Sequence, residues 1–267
     1  MLVLDSISKT FSQPGEGGPG VAAVSAVSLD VRKGEFVSLV GPSGCGKSTL
    51  INIVAGLTDD YEGRVLIDGR LVRGRHPEVG MVFQEDSTFP WLTACENVEF
   101  GLRMRGEPAR SRRESSREML ALVGLGSFAD RYPAELSGGM RQRVAIARAL
   151  VLQPQILLMD EPFGAVDEQT RIVLGEELLR LQEQLQQTLV FVTHNLGEAV
   201  TLSDRVVAMT ARPARIKDVL TVDLPRPRDS SVMESPQYSL LVARLWQLLR
   251  EEALHTFRAA ESTVSGA

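Results

Sequence analysis

The chain has 267 residues, of which 43% are hydrophobic and 24% charged, and its formal net charge is −5. This length accommodates one large α/β domain or a core domain with an inserted subdomain. The acidic balance disfavours a general nucleic-acid binder, because such domains usually carry a basic excess. No stretch approaches the ~18 uninterrupted apolar residues that span a bilayer. The N-terminus lacks a signal-peptide pattern, so we expect a cytosolic chain in which Cys45 and Cys95 are reduced thiols.

Short runs with strand character dominate the first part of the chain, and they cover residues 3–8, 21–31, 36–40, 64–69 and 79–84. The run at 36–40, FVSLV, is apolar throughout, as expected of a strand that is buried on both faces. A glycine-rich loop and an apolar helix that ends at Gly56 follow it. Residues 12–20 are rich in Gly and Pro and are predicted to form a mobile hairpin connection.

Helical patterns then replace the strands. Three helices are predicted near residues 95–105, 113–123 and 140–152, which indicates a helical subdomain inserted at about 86–150. Strands and helices alternate again afterwards, with strands at 156–160, 188–193 and 205–209 and helices around 168–187 and from Leu196. This alternation predicts a parallel sheet with helices on its faces.

The C-terminal part contains one more amphipathic segment, at residues 239–257. We expect a helix packed on the domain surface rather than on a membrane, because its polar face is mixed and not basic. Residues 261–267 are expected to form a disordered tail.

The glycine-rich loop, GPSGCGKS, fits the pattern G-x-x-x-x-G-K-[ST] and lies between a predicted strand and a predicted helix. Its backbone N–H groups and the helix N-terminus can bind phosphate oxygens. Lys47 can lie between the β- and γ-phosphates, and Ser48 can offer its hydroxyl to Mg²⁺. The chain has only four lysines among 29 basic residues, so a lysine here points to a role that arginine cannot fill. The predicted phosphate-binding residues are Gly41, Pro42, Ser43, Gly44, Cys45, Gly46, Lys47, Ser48 and Thr49.

Two carboxylates, Asp160 and Glu161, follow the apolar run ILLM. Ligands in open parallel sheets bind at the carboxyl ends of the strands. We expect Asp160 in the Mg²⁺ shell, through water, and Glu161 facing the γ-phosphate, where it can polarise the attacking water. One carboxylate after a strand is typical of a helix N-cap, but two adjacent ones in a chain with a phosphate loop favour function.

The segment LSGGMRQR at 136–143 resembles the signature sequence of ABC ATPases. A Ser-Gly-Gly helix cap would explain its local pattern but not its surroundings. The phosphate loop, Gln84, the signature, MDEP, GAVD at 164–167 and His194 occur in the order of that family, over roughly residues 1–220. The resemblance implies an α/β P-loop ATPase domain at residues 1–222, with a mostly parallel core sheet, an antiparallel β subdomain and the inserted helical subdomain. A C-terminal extension would occupy 223–260.

The resemblance also implies roles for single residues. Phe11 would stack on adenine, with core packing as the alternative, and Gln84 would contact Mg²⁺ or the attacking water. His194 would contact the γ-phosphate, and Asp167 would lie in the loop that crosses between two copies. The signature of one copy would face the phosphate loop of the other, so that two ATP molecules lie between two subunits; its phosphate-binding residues would be Ser137, Gly138 and Gly139. GAVD and Asn195 depart slightly from the family pattern, and neither removes a catalytic group.

Three stretches, at residues 89–102, 209–216 and 222–229, resemble the nitrate/sulfonate/taurine branch of bacterial ABC importers. This branch implies ATP and Mg²⁺ as cofactors and a location on the cytoplasmic face of the inner membrane, as a peripheral subunit. The implied partners are a second copy, two transmembrane permease subunits and, indirectly, a periplasmic or lipoprotein solute-binding protein, with no nucleic acid. Phe89, Pro90, Trp91 and Leu92 would suit a groove for a permease helix, with packing of Trp91 inside the helical subdomain as the alternative.

Other classes fit less well. An ABC exporter subunit for a lipid or drug is the runner-up. A soluble ABC-type ATPase of DNA repair would carry long coiled coils between Ser48 and Asp160, and a translation-associated ABC protein would carry two cassettes. A P-loop kinase or GTPase leaves LSGGM unexplained. The solute stays open among nitrate, taurine, alkanesulfonates and aromatic or pyrimidine-like compounds, because it does not touch this chain.

Overall fold

A computed structural model describes residues 1–12, 20–85 and 87–264, without the side chains of 253 and 255–264. The chain forms two compact units, one of Met1–His76 with Val190–Ala267 and one of Pro77–Leu189. The predicted mobile connection at 12–20 falls largely on residues 13–19, which lie outside the described residues.

Strands β1 to β10 span, in order, Leu2–Phe11, Val21–Val31, Phe36–Val40, Glu62–Ile67, Arg70–Leu71, Val79–Val82, Ile156–Asp160, Thr188–Val192, Arg205–Met209 and Ile216–Thr221. Helices α1 to α7 span Lys47–Val54, Ala94–Met104, Ala109–Leu122, Gly138–Leu150, Glu168–Leu185, Leu196–Leu202 and Pro236–Val264. Every predicted strand and helix is present.

The first unit contains an antiparallel sheet in the order β2-β1-β4-β5, which confirms the predicted antiparallel subdomain. Leu4 pairs with Leu29 on one side and with Val65 on the other. The two-residue strand β5 was not predicted. It follows a turn in which Asp68 and Gly69 have φ of 49° and 76°, and an Asp-Gly pair is the usual sequence of such a turn.

The same unit holds the strands β10, β9, β3 and β8 in that order. Strand β3 runs parallel to β9, and all five of its residues are buried, as its apolar sequence predicts. Strand β10, antiparallel to β9, was missed because most of its residues are only partly buried and its sequence, IKDVLT, does not alternate. In the second unit β6 runs parallel to β7, so parallel pairing predominates in the core, as expected.

Helices α2, α3 and α4 of the second unit correspond to the predicted helical subdomain. Helix α2 begins after a capping box, in which the Thr93 side chain accepts from the Glu96 N–H and the Glu96 carboxylate accepts from the Thr93 N–H. The three helices bury apolar side chains, among them Val98, Leu102, Leu120, Val144 and Leu150.

Helix α7 packs on the first unit through one apolar face. Leu245 and Leu249 are buried in a cluster with Val206 and Leu220, which supports the predicted surface packing. The helix includes residues 261–264, where we expected a disordered tail, because no Gly or Pro interrupts the sequence after Pro236 until Gly266. Among the described residues, no helix is long and apolar enough to cross a membrane.

Candidate functional site

The phosphate loop joins β3 to α1 in the first unit, and its glycines are required by its backbone. Gly44 and Gly46 have φ of 71° and 126°, a region that side chains disfavour. A Cβ on Gly46 would lie 2.5 Å from the Ala23 carbonyl oxygen and 3.1 Å from Ala214 Cβ. The loop is therefore tightly curled against its neighbours, as a backbone that wraps phosphate oxygens must be.

Lys47 is buried within this curl. Only 5% of it is exposed, and its ammonium donates to the carbonyl oxygens of Gly41 and Pro42, both at 2.9 Å. It also lies 3.9 Å from the Cys45 sulfur. Ser48, the next residue, is exposed in the first turn of α1. The compact ammonium is thus held along the loop, and the Ser48 hydroxyl is accessible.

Strand β8 brings His194 to the same edge of the sheet as the phosphate loop. The Thr193 N–H donates to the Leu39 carbonyl at 3.3 Å, so His194 leaves the sheet beside the strand from which the loop starts. His194 is exposed. Asn195 is the N-cap of α6, because its side chain accepts from the Glu198 N–H at 3.0 Å. The asparagine that departs from the family pattern therefore has a structural role that aspartate could equally fill.

Phe11 ends β1 and is 47% exposed. The Lys9 ammonium lies 5.0 Å from the centroid of its ring and is paired with Asp60 at 2.8 Å. Because the ring is not buried in the core, the packing alternative for Phe11 is not supported. An accessible aromatic face remains compatible with stacking on a flat base.

In the second unit, β7 places Asp160 and Glu161 at its carboxyl end. Asp160 is 6% exposed. Glu161 has φ of 46°, which is uncommon for a residue other than glycine and typical of functional positions. The Glu161 carbonyl accepts from the Gly164 N–H at 3.0 Å, so the acidic pair leads directly into GAVD.

The signature segment packs against GAVD in the same unit. Ser137 is the N-cap of α4, and its hydroxyl accepts from the Met140 N–H at 3.3 Å. A Cβ on Gly139 would lie 3.0 Å from the Ala165 carbonyl oxygen, so this glycine permits the close approach. Asp167 caps α5, and the hydrogen bond from the Thr170 N–H lowers the pKa of Asp167.

The segment that carries Gln84 is also tied to the signature helix. The side chain of Gln142, which is buried, donates to the Phe83 carbonyl at 3.1 Å. Gln84 itself, the next residue, is exposed. This role of Gln142, the second residue after Met140 in the signature, was not predicted from the sequence. Gln84, the signature, the acidic pair and GAVD are thus linked by local contacts within the second unit.

An exposed aromatic segment follows Gln84. The amide of buried Asn97 exchanges hydrogen bonds with the Phe89 backbone, at 2.7 Å and 3.1 Å, and donates to the carbonyls of Leu92 and Thr93. Trp91 lies on this fixed backbone and is 71% exposed. Packing of Trp91 inside the helical subdomain, one of our two alternatives, is therefore wrong.

The two groups of motifs belong to different units, with the phosphate loop, Phe11 and His194 in the first and the others in the second. The Ser48 hydroxyl in the first unit, and the Asp160 carboxylate and the Gln84 amide in the second, are oxygen donors of the kind that Mg²⁺ prefers. Within the described part of the chain, no group of three His, Cys, Asp or Glu side chains could hold a metal alone.

The strand–loop–helix arrangement with its buried lysine defines a P-loop nucleotide-binding protein. Residues 24–164 match the family model described as "ABC transporter". An uncharacterized ABC transporter ATP-binding protein of Methanocaldococcus jannaschii is 45% identical over 96% of this chain and 94% of its own length. The chain belongs to the ABC transporter family, as its ATP-binding and ATP-hydrolysing subunit.

Two relatives carry more specific names. The bicarbonate transport ATP-binding protein CmpC of Synechocystis is 45% identical over 98% of this chain. The nitrate import ATP-binding protein NrtC of Synechococcus elongatus is 45% identical over 94% of it. This chain spans only 40% and 38% of their respective lengths. The predicted resemblance to the nitrate importer branch is confirmed.

A solved ATP-binding cassette, dimeric in a post-hydrolysis state with ADP and Pi, has a TM-score of 0.76 to this chain. It is 34% identical and covers 84% of this chain and 100% of its own. The predicted fold class is confirmed by this similarity.

Proposed function

We propose that this chain powers an importer of a small solute, of the nitrate, bicarbonate, sulfonate or taurine type. The similarity to the bicarbonate and nitrate proteins over almost the entire chain carries this proposal. In the proposed assembly two copies bind two ATP molecules between them and contact two permease subunits, with a solute-binding protein outside. The subunit would lie on the cytoplasmic face of the membrane.

The proposed chemistry is attack of water on the γ-phosphorus, with ADP as the leaving group. Glu161 polarises the water, and His194 and Gln84 orient the γ-phosphate and the water. Lys47 and the loop N–H groups neutralise charge on the β- and γ-phosphates. Ser48, Gln84 and Asp160 would hold Mg²⁺, which would supply positive charge to stabilise the negative charge of the phosphates. Phe11 would stack on adenine, and Ser137, Gly138, Gly139 and Asp167 would serve the ATP bound by the other copy.

The importer proposal is tested in proteoliposomes that contain the chain and the permease pair encoded beside its gene. With ATP enclosed and the ATPase facing the lumen, labelled nitrate or bicarbonate should accumulate inside when the binding protein is added outside. A Glu161→Gln complex is the inactive control. Accumulation only when ATP is outside, with the ATPase facing outward, would instead identify an exporter.

Trp91 supplies a prediction about the permease contact. Its exposed ring on a backbone fixed by Asn97 is preorganised for burial by a partner. Truncating a central interface aromatic costs about 2 kcal/mol or more, so Trp91→Ala should weaken association with the permease about thirtyfold or more. Association is measured by capture of the subunit on immobilised permease.

Trp246→Ala is the matched control, because Trp246 is also exposed but lies on α7 in the other unit. It should retain normal capture. Equal capture of the Trp91→Ala and Trp246→Ala subunits would contradict the proposed permease-facing role of the aromatic segment.

A further inference from the structure

The end of β9 and the segment that follows it, residues 209–215, lie against the phosphate loop at two places. A Cβ on Gly46 would meet Ala214 Cβ at 3.1 Å, and a Cβ on Gly41 would meet the carbonyl of Met209, which ends β9, at 3.1 Å. The Ala214 N–H also donates to Ala23 on β2 at 2.9 Å. This segment therefore packs directly against the phosphate loop.

Arg212 extends from this segment to Gly44, in the middle of the phosphate loop. Its Nε and Nη2 donate to the Gly44 carbonyl oxygen at 3.2 Å and 2.9 Å. Gly44 has φ of 71°, and its peptide group is held from the other side too, because the Cys45 N–H donates to the Pro42 carbonyl at 3.3 Å. That carbonyl also accepts from the Lys47 ammonium.

The orientation of this peptide matters for phosphate binding. The Gly44 carbonyl and the Cys45 N–H belong to one planar group and point in opposite directions. Rotation of the plane would break the hydrogen bond from the Cys45 N–H to the Pro42 carbonyl and disrupt the turn that positions the N–H groups of the loop. Two hydrogen bonds from one guanidinium to the carbonyl oppose that rotation.

Helix α7 holds the segment that carries Arg212. The carboxylate of Glu252 accepts from the Ala211 N–H at 2.8 Å and from the Lys217 ammonium at 2.8 Å. The hydrogen bond to Glu252 raises the pKa of Lys217. The contact links the C-terminal helix to the residue next to Arg212.

We propose that Arg212 is a positioning residue for the phosphate loop, and that Glu252 of α7 acts through it. The Arg212 guanidinium fixes the peptide group between Gly44 and Cys45. The Glu252 carboxylate fixes the backbone at Ala211, the residue before Arg212. This gives α7 a role in nucleotide binding besides its packing. The inference rests on the proposal that residues 41–49 bind the phosphates of ATP.

The test measures the affinity for ATP with MgCl₂ by titration calorimetry, in a Glu161→Gln background so that binding is observed without turnover. Arg212→Ala should weaken binding about three- to tenfold. The expected loss is smaller than for a buried charged hydrogen bond, because Arg212 is exposed to solvent. Arg212→Lys, which keeps one donor, should fall between. Arg215→Ala is the matched control. Arg215 is exposed, and within the described part of the chain its backbone N–H, rather than its side chain, makes a hydrogen bond, to Thr210.

Glu252→Ala should weaken binding in the same direction, and Glu251→Ala, on the neighbouring and more exposed carboxylate, should weaken it less. If Glu252 acts through Arg212, the double variant should bind no more weakly than Arg212→Ala alone. Additive losses would overturn that part of the inference. An Arg212→Ala affinity equal to that of Arg215→Ala would overturn the whole.

Two further measurements separate the possible failures. Melting temperatures without nucleotide should agree between Arg212→Ala and Arg215→Ala; a clear loss of stability in the former would assign the weaker binding to folding and reject positioning. Lys47→Ala is included as a reference. If it binds ATP normally, the proposed phosphate loop itself fails, whereas weak binding by Lys47→Ala with normal binding by Arg212→Ala rejects only the present inference.

Discussion

Glu161→Gln should lower ATP turnover by about two to four orders of magnitude, the usual contribution of a positioned general base. The substitution keeps the size of the side chain and removes its capacity to polarise water. ATP binding should be retained, because the phosphate-binding loop lies elsewhere in the chain. Since hydrolysis is expected to open the ATP-bound dimer, the variant should also accumulate as a dimer in the presence of ATP. Phosphate release and size-exclusion chromatography with ATP measure the two effects.

Glu118→Gln is the matched control, because Glu118 is exposed on α3 and its replacement by Gln removes the same charge. It should hydrolyse ATP at the wild-type rate. Turnover by Glu161→Gln within a few-fold of the wild-type rate would exclude Glu161 as the group that activates water.

Lys47→Ala should bind ATP about 10- to 100-fold more weakly. Hydrogen bonds to charged groups contribute about 1.5–3 kcal/mol, and each 1.4 kcal/mol is a factor of ten in affinity. Lys47→Arg should not restore binding, because the buried ammonium lies within 2.9 Å of two loop carbonyls and a planar guanidinium does not fit that space. Calorimetric titration with ATP and MgCl₂ gives both affinities.

Lys33→Ala serves as the control, because Lys33 is exposed in the turn between β2 and β3. Its affinity for ATP should equal that of the unsubstituted chain. Near-normal binding by Lys47→Arg would contradict the explanation of why a chain with four lysines keeps one in this loop.

The elements of the fold were predictable from local patterns. The uniform apolarity of 36–40 identifies a buried strand, and Gly44 and Gly46 of the loop have backbone angles that glycine adopts most readily. The strands that were missed, β5 and β10, are short or only half-buried, so hydrophobic periodicity carries little signal there.

Contacts between distant residues were not predictable. Arg212 and Gly44 are 168 positions apart, and a run such as MTARPARI has no local property that reports a hydrogen bond to a carbonyl elsewhere. The role of Gln142 in holding the Phe83 carbonyl was hidden in the same way. The exposure of Trp91 depends on how Asn97 fixes the preceding backbone, and the sequence left two alternatives open.

We expect the signature of one copy to complete the phosphate loop of the other in an ATP-bound dimer. Mixing a Lys47→Ala chain with a Ser137→Ala chain tests it directly. In a mixed dimer the Ser137→Ala chain supplies an intact phosphate loop and the Lys47→Ala chain an intact signature, so one of the two shared sites has neither lesion. If each signature served its own chain, every site would carry one lesion.

The measurement is the ATP hydrolysis rate of mixtures at several ratios, after subunit exchange has been shown with differently labelled chains. We expect rates above that of the better of the two homodimers, highest when the two chains are present in near equal amounts. There, random pairing gives at most about one quarter of the wild-type rate, because half of the dimers contain one intact site of two. Mixtures no more active than the better homodimer at any ratio, despite exchange, would contradict this expectation.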